Sequence, residues 1–475
     1  MKTDMKNHNV LNLAVAAAKN WLDGLEKNPV AATVDLKTLR DRIPHELEDE
    51  GHSPEEVIQH LLKITEGGLL GCAGGRFFGW VIGGAVPSAL AADWLTSTWD
   101  QNAALYACGP AASVIEEAAG EWMKDLLDLP KESSFAFTTG CQLAHFTCLA
   151  SARAAVLKKA GWDFNEEGLF GAPPVRVLTS EHRHGSVDRA VRYLGLGNKA
   201  LQSLPTDAAG RAPASALKAS LHSDKRPTIL VLNAADLNVG AFDAFEELIP
   251  MAKDAGVWVH VDGAFGLFAR ASQQKRHLTR GVELADSWAT DAHKWLNVPF
   301  DCGIAIVRDR QCHREAMTIH AAYIAAESNA RDQIDWNPEW SRRARGIPVY
   351  AALRELGRSG VADLIDRTCR YGHTLVTEIG KLPGTQVLWE PQLNQGLVRF
   401  LDPDPIATDA HHNARTDSVV AAINATGEAF FSPTTWKGVR AMRVSVVNWR
   451  TREEDIQRAI TAVRSVLIPG RAEPT

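Results

Sequence analysis

Trp258-Val259-His260-Val261-Asp262-Gly263-Ala264 and Ser287-Trp288-Ala289-Thr290-Asp291-Ala292-His293-Lys294-Trp295 are the two stretches on which the fold is decided. The first reads as a short buried strand that ends in a carboxylate. The second reads as a strand end that presents His293-Lys294 to a cleft. Runs of the same character lie at 134–139, 175–179, 228–232, 257–261, 286–290 and 303–307. Amphipathic stretches at 142–160, 186–194, 213–221 and 243–255 separate several of them. Short apolar strands alternating with amphipathic helices predict an α/β fold with a largely parallel sheet covered on both faces. Ligands of such sheets bind at the carboxyl ends of the strands. Gly140, His184, Asn233, Asp262 and Lys294 all fall at or just beyond such ends.

Either Asp262 or Lys294 alone also reads as a solvated surface group. Together, at successive strand ends, they suit pyridoxal 5'-phosphate. A lysine amine forms a Schiff base with the cofactor aldehyde. An aspartate keeps the pyridine nitrogen protonated, so the ring accepts electrons from a carbanion. Thr138-Thr139-Gly140-Cys141-Gln142 links a strand to a long helix. A glycine there lets backbone N–H groups of Gly140, Cys141 and Gln142 face an anion such as the cofactor phosphate. In Glu181-His182-Arg183-His184-Gly185-Ser186, one imidazole could stack on the ring and relay protons; the alternative is a solvated polar loop. Histidines two apart with no third ligand nearby in sequence argue against a metal site. Arg443, on an expected strand, suits a forked pair with a substrate carboxylate or a structural ion pair.

At 475 residues the chain is long enough for two or three units around a substantial core. Apolar residues make up 45% and charged residues 23%, ordinary for a soluble enzyme. A net charge of −6 argues against a nucleic-acid surface. Seven scattered cysteines without a Cys-x-x-Cys pair indicate neither disulfides nor a zinc ribbon and fit a reducing cytoplasm. There is no signal pattern, and no run approaches the roughly 20 apolar residues of a membrane span.

Three segments are expected. Residues 1–86 read as helices followed by a glycine-rich stretch, Gly67 to Trp80, that is either a flexible loop bringing aromatics to a site or a plain linker. Residues 87–350 carry the strand–helix alternation. Residues 351–475 read as a smaller α+β domain with helices at 351–357, 361–381 and 451–467 and strands at 385–389, 396–400 and 441–447. Ser341-Arg342-Arg343-Ala344-Arg345 reads as a solvated helix start or as part of a site.

These residues assembled, the chain resembles the group II pyridoxal-phosphate-dependent amino-acid decarboxylases, which include aromatic amino-acid, glutamate and cysteine-sulfinate decarboxylases. The likeness runs from about residue 70 to 460 and is strongest in His260-Val261-Asp262-Gly263-Ala264, Arg276-His277-Leu278, Gly281-Val282-Glu283, Ala285-Asp286-Ser287 and His293-Lys294-Trp295-Leu296-Asn297-Val298-Pro299-Phe300-Asp301-Cys302. It implies Lys294 as the Schiff-base lysine, Asp262 as the pyridinium partner, Ala264 under the ring and His184 as the stacking histidine. It further implies Asn233 near the cofactor and His293 near the phosphate. It implies the aspartate-aminotransferase-like fold, fold type I, as an obligate homodimer with shared active sites and N-terminal helices that clasp the partner.

Two departures stand out. The family's mobile loop commonly carries a tyrosine that protonates the carbon vacated by carbon dioxide. Here Arg331-Asp332-Gln333-Ile334-Asp335-Trp336-Asn337-Pro338-Glu339-Trp340 has none. An indole N–H such as that of Trp336 is too weak an acid to replace it. Tyr323 lies just upstream; otherwise His184, or a water it holds, must deliver the proton. The family also often has His-Pro where Gly74-Gly75 precedes Arg76-Phe77-Phe78, with an aromatic at the place of Cys72. Phe77, Phe78, Trp80 and Tyr106 favour an aromatic or large apolar L-amino acid, or are packing. The leading expectation is α-decarboxylation to an amine. The alternatives are decarboxylation with oxidative deamination to an aldehyde, another Cα reaction such as transamination or carbon–carbon cleavage, and a non-catalytic cofactor-binding homologue. An NAD oxidoreductase is disfavoured because no Gly-x-Gly-x-x-Gly follows a strand.

Overall fold

The computed structural model describes residues 8–318 and 330–468. The chain divides into two compact units. One comprises Val81–His373 with Trp389–Gly396; the other comprises the segment ending at Trp80, Thr374–Leu388 and the segment from Leu397 onward.

The larger unit is built on seven strands: β1 (Ser134–Thr138), β2 (Arg176–Ser180), β3 (Leu201–Leu204), β4 (Thr228–Asn233), β5 (Trp258–Asp262), β6 (Ser287–Asp291) and β7 (Gly303–Val307). Their order across the sheet is β1-β7-β6-β5-β4-β2-β3. Strands β6, β5, β4, β2 and β3 are mutually parallel, and β7 runs antiparallel between β1 and β6. Every strand but β3 is buried along its whole length. That explains why they read as continuous apolar runs instead of alternating ones. Asn233 pairs in register with Asp262, and Gly303 with both Asp291 and Thr138. The ends of β1, β4, β5 and β6 and the start of β7 therefore form one edge.

Two glycines let that edge close. Gly140 has φ 128°, a conformation that disfavours a side chain, and begins the Cys141–Lys159 helix. A Cβ on Gly303 would lie 2.2 Å from the Gly140 carbonyl carbon, so β7 crosses directly against this turn. The helix behind it places Ala144, Cys148 and Ala152, all small and fully buried, toward the core.

The arginine cluster is no solvated helix start, for its arginines are engaged in ion pairs. Arg342 is buried and donates to Glu116 (2.9 Å) and to the carbonyls of Ala103 and Phe137 (both 2.8 Å). Arg343 pairs with Asp93 and Arg345 with Asp301. They tie the chain before the Gly346–Gly380 helix to earlier elements of the same unit.

The second unit carries an open sheet, β10-β11-β9-β8, of β8 (Thr385–Trp389), β9 (Gln395–Phe400), β10 (Ser432–Trp436) and β11 (Val439–Ser445). The helices His8–Gly24, Pro54–Thr65, Asp409–Ala425 and Glu453–Leu467 belong to it. The glycine-rich stretch is no flexible loop. Buried Arg76 donates to carbonyls of Leu25, Glu26, Asn28, Gly427 and Glu428. Phe77 stacks on Phe430 with centroids 5.0 Å apart, and Phe78 on Phe431 at 5.3 Å.

Replacing Arg342 with Met would leave Glu116 buried without its cation, so the variant is expected to lose about 3–5 kcal/mol in urea denaturation. A loss below about 1 kcal/mol would mean that the pair is not a structural tie.

Candidate active site

The end of β5 holds Asp262, its side chain only 8% exposed. One carboxylate oxygen accepts the Ala264 backbone N–H (3.2 Å), and the other lies 3.4 Å from His145 Nε2. Burial opposes ionisation of this carboxyl. The His145 N–H directed at it, with the Lys294 ammonium further off, outweighs burial and holds it well below the usual carboxylate range. Asp262 is thus a buried anion, as a partner for a protonated ring nitrogen must be.

Lys294 follows β6 in a tight turn. A Cβ on Gly83 would fall 1.9 Å from the Lys294 carbonyl oxygen, so the 81–86 segment crosses the turn at backbone contact. Asn297, in the left-handed region at φ 55°, closes the turn; its side-chain oxygen accepts from Gly84 N–H (2.8 Å). The Lys294 amine lies 2.9 Å from Asp291 Oδ2. Burial pushes the amine's pKa down, but Asp291, with Cys141 and Asp262 beyond it, outweighs this and raises it. Asp291 also accepts the Cys141 backbone N–H at 2.6 Å, so a protein carboxylate already engages the start of the 141–159 helix. Gln142 Nε2 donates to the Ser186 carbonyl.

His184 caps the Gly185–Tyr193 helix. Its Nδ1 accepts from the Ser186 N–H (3.2 Å) and lies 2.7 Å from the Ser186 hydroxyl. With Nδ1 used as an acceptor, the ring proton sits on Nε2. Burial pushes its pKa down, so the ring is neutral near pH 7. His293 Nδ1 accepts the Cys302 N–H (3.1 Å), and its ring packs 4.4 Å from Phe300. Asn233 ends β4 beside Asp262. A buried carboxylate, a primary amine, a neutral imidazole and a helix start on one sheet edge form a donor set that fits pyridoxal phosphate.

Not every candidate gathers here. Phe78 has no exposed surface and packs on Phe431 in the second unit, so it is a core residue and not a substrate wall. Trp80, 44% exposed, and Arg443, on buried β11, belong to that same unit. Tyr106 lies in a short turn of the larger unit, its N–H donating to Asp332. Trp336 is buried against His313 and stacked by Arg331, a core residue and not a proton donor. Tyr323 lies outside the described residues. The sequence reading missed Asp291, His145 and Ser287. Asp291 stands three residues before Lys294 at a strand end, a placement that could have pointed to it.

The pyridoxal-dependent decarboxylase conserved domain matches residues 37–401. The chain belongs to this family. Its cofactor is pyridoxal 5'-phosphate, and the family places it among the carboxy-lyases acting on amino acids. It is 27% identical to an aromatic-L-amino-acid decarboxylase of Bacillus atrophaeus, over 95% of this chain and 94% of the relative. It is 29% identical to an L-2,4-diaminobutyrate decarboxylase of Rhizobium meliloti (strain 1021), over 80% and 75%. The fold matches a solved structure of Oryza sativa TDC with PLP and tryptamine at a TM-score of 0.90, with 20% identity and 97% of each chain covered.

A lysine amine attacks an aldehyde only after it has shed its proton. Asp291→Asn removes the carboxylate that keeps the amine charged, so the amine pKa falls and its free-base fraction near pH 7 rises. Cofactor capture by the cofactor-free variant is expected to speed up about tenfold for each pKa unit lost. Stopped-flow absorbance across pH checks this; an unchanged rate profile would show that Asp291 does not hold that proton.

Proposed function

We propose that this chain removes the α-carboxylate of an L-amino acid at the site formed by Lys294, Asp262 and His184. The observation that carries the reading is the convergence of a buried anion, a lysine amine and a neutral histidine on one sheet edge. Bound pyridoxal phosphate supplies an aldehyde for amine exchange and a ring that takes up the electron pair left by departing carbon dioxide. Lys294 provides the amine that anchors the cofactor. Asp262, by staying ionised, keeps the proton on the ring nitrogen. His184 would offer its Nε2–H to the cofactor, and Ala264 would help to hold the ring. Asn233, His293 and the Gly140-Cys141-Gln142 turn would help to hold the cofactor. Proton delivery to the α-carbon falls to Tyr323, or to His184 through a water.

An aromatic or large apolar substrate is the favoured class. The similarity to the Bacillus relative along nearly the whole chain supports it. The diaminobutyrate relative keeps a basic substrate in play, so the panel below includes both. Oxidative deamination is the second reading, favoured by the absence of tyrosine from 330–340.

We also propose a cytoplasmic homodimer with shared sites. In the larger unit, Trp94, Leu95 and Trp99 on the Pro87–Trp99 helix and Val114 and Trp122 on the Pro110–Leu126 helix are exposed. Exposed large apolar residues in this number favour a covering subunit. No described helix is long and apolar enough to cross a membrane.

Lys294→Ala is expected to lose the visible absorbance of the lysine-linked cofactor and at least about 10³-fold in turnover. The test uses a panel of aromatic, basic, acidic and sulfur-containing L-amino acids, with carbon dioxide, amine, aldehyde and peroxide followed together. Carbon dioxide with amine supports the proposal, and aldehyde with peroxide selects the oxidative reading. No carbon dioxide, or full turnover in the variant, overturns it.

A further inference from the structure

Behind Asp262, away from Lys294, lies a line of buried polar side chains that no catalytic step uses. His145 Nε2 is 3.4 Å from Asp262 Oδ2. His145 Nδ1 is 2.9 Å from His260 Nε2, the two rings edge to face at 86°. His260 Nδ1 is 2.9 Å from the Ser287 hydroxyl, and the Trp258 indole N–H donates to that hydroxyl at 3.0 Å. Both histidines and Ser287 are 0% exposed.

The two ends of this line fix the protons between them. An ionised carboxylate only accepts, so His145 must carry a proton on Nε2. An indole N–H only donates, so it fills a lone pair on Ser287 and leaves the hydroxyl proton free to point onward. One arrangement with neutral rings satisfies both ends. Ser287 O–H donates to His260 Nδ1, His260 Nε2–H donates to His145 Nδ1, and His145 Nε2–H donates to Asp262. Neutrality fits the burial: desolvation pushes the His260 pKa down to about 3. The titratable groups facing His145 are Asp262, His260 and Cys141, whose Sγ is 3.5 Å from Nε2; His184 and Lys294 lie beyond.

We propose that Trp258, Ser287, His260 and His145 form a polarised chain whose work is to position Asp262 and keep it anionic toward the cofactor ring nitrogen. This rests on the reading of Asp262 as that nitrogen's partner. His145 and His260 are positioning residues: they touch neither cofactor nor substrate. The chain occupies one oxygen of Asp262 from behind while Ala264 N–H occupies the other, so the carboxylate cannot turn away from the ring.

His145→Phe preserves the ring's bulk and removes both hydrogen bonds; His145→Gln restores a donor toward Asp262. Cofactor is resolved from wild type, both variants and Asp262→Asn, then titrated back with absorbance as the readout. His145→Phe is expected to bind pyridoxal phosphate about tenfold more weakly with a shifted absorbance maximum, and His145→Gln within about threefold of wild type. Histidine-labelled ¹⁵N NMR of the wild-type holoenzyme gives a second readout that needs no variant to fold. It is expected to show the His260 ring as a neutral Nε2–H tautomer that does not titrate from about pH 6 to 9. Wild-type affinity and spectrum in His145→Phe would overturn the proposal, as would a cationic or Nδ1–H His260 ring. So would one equivalent of divalent metal in the purified protein, held by Cys141, His145 and Asp262. If Asp262→Asn alone leaves cofactor binding unchanged, it is the assignment of Asp262 that fails, whatever the tautomers show.

Discussion

The constraint on which the site depends is an ionised carboxylate held inside the protein. Asp262 sits where β5 ends, between β4 and β6, with almost no contact with water. A buried charge without partners would neutralise itself by taking up a proton. Here the fold answers with directed hydrogen bonds: a backbone N–H two residues on and an imidazole from the helix behind the sheet. The strand order follows from the same need. β5 must be central to bury Asp262, and its parallel neighbours must end level with it to bring Asn233, Asp291 and Lys294 to the same edge.

Asp291 is a second buried carboxylate with a different task. It binds the lysine amine and the first N–H of the Cys141–Lys159 helix, so it links the turn after β6 to the turn after β1. Gly303 lets β7 pass against the turn after β1, and Gly83 lets the 81–86 segment pass against the turn after β6, because neither carries a side chain where backbones meet. In the site proposed here Asp262 would serve the cofactor ring, and Asp291 favours the charged form of the Lys294 amine.

Much of this was legible in the sequence because the strands of the larger unit are buried on both faces. Continuous apolar runs marked β1, β2, β4, β5, β6 and β7 to within a residue or two, and the carboxylate and lysine at strand ends marked the site. β3 and β10 escaped. β3 is four residues at a half-exposed sheet edge, and β10 reads Ser432-Pro433-Thr434-Thr435-Trp436, with a proline that an edge strand tolerates but a pattern search rejects. The break expected near residue 357 is real as a kink: Gly357 has φ 59° within the Gly346–Gly380 run. Phe77 and Phe78 looked like pocket aromatics because sequence cannot tell a buried ring from one facing a cleft. His145 was invisible for another reason: it lies in a helix with buried residues on most sides, and its partner is 115 positions away. His260 was within reach, since residues two apart on a strand share a face and His260 precedes Asp262 by two.

The central claim is that Lys294 is the residue that carries the cofactor. Borohydride reduction of the holoenzyme fixes the cofactor to whichever lysine holds it, and peptide mass spectrometry then locates the pyridoxyl group. The result expected is a single modified peptide bearing the group on Lys294. A label on any other lysine, or none after reduction of a protein that shows cofactor absorbance, would contradict the account.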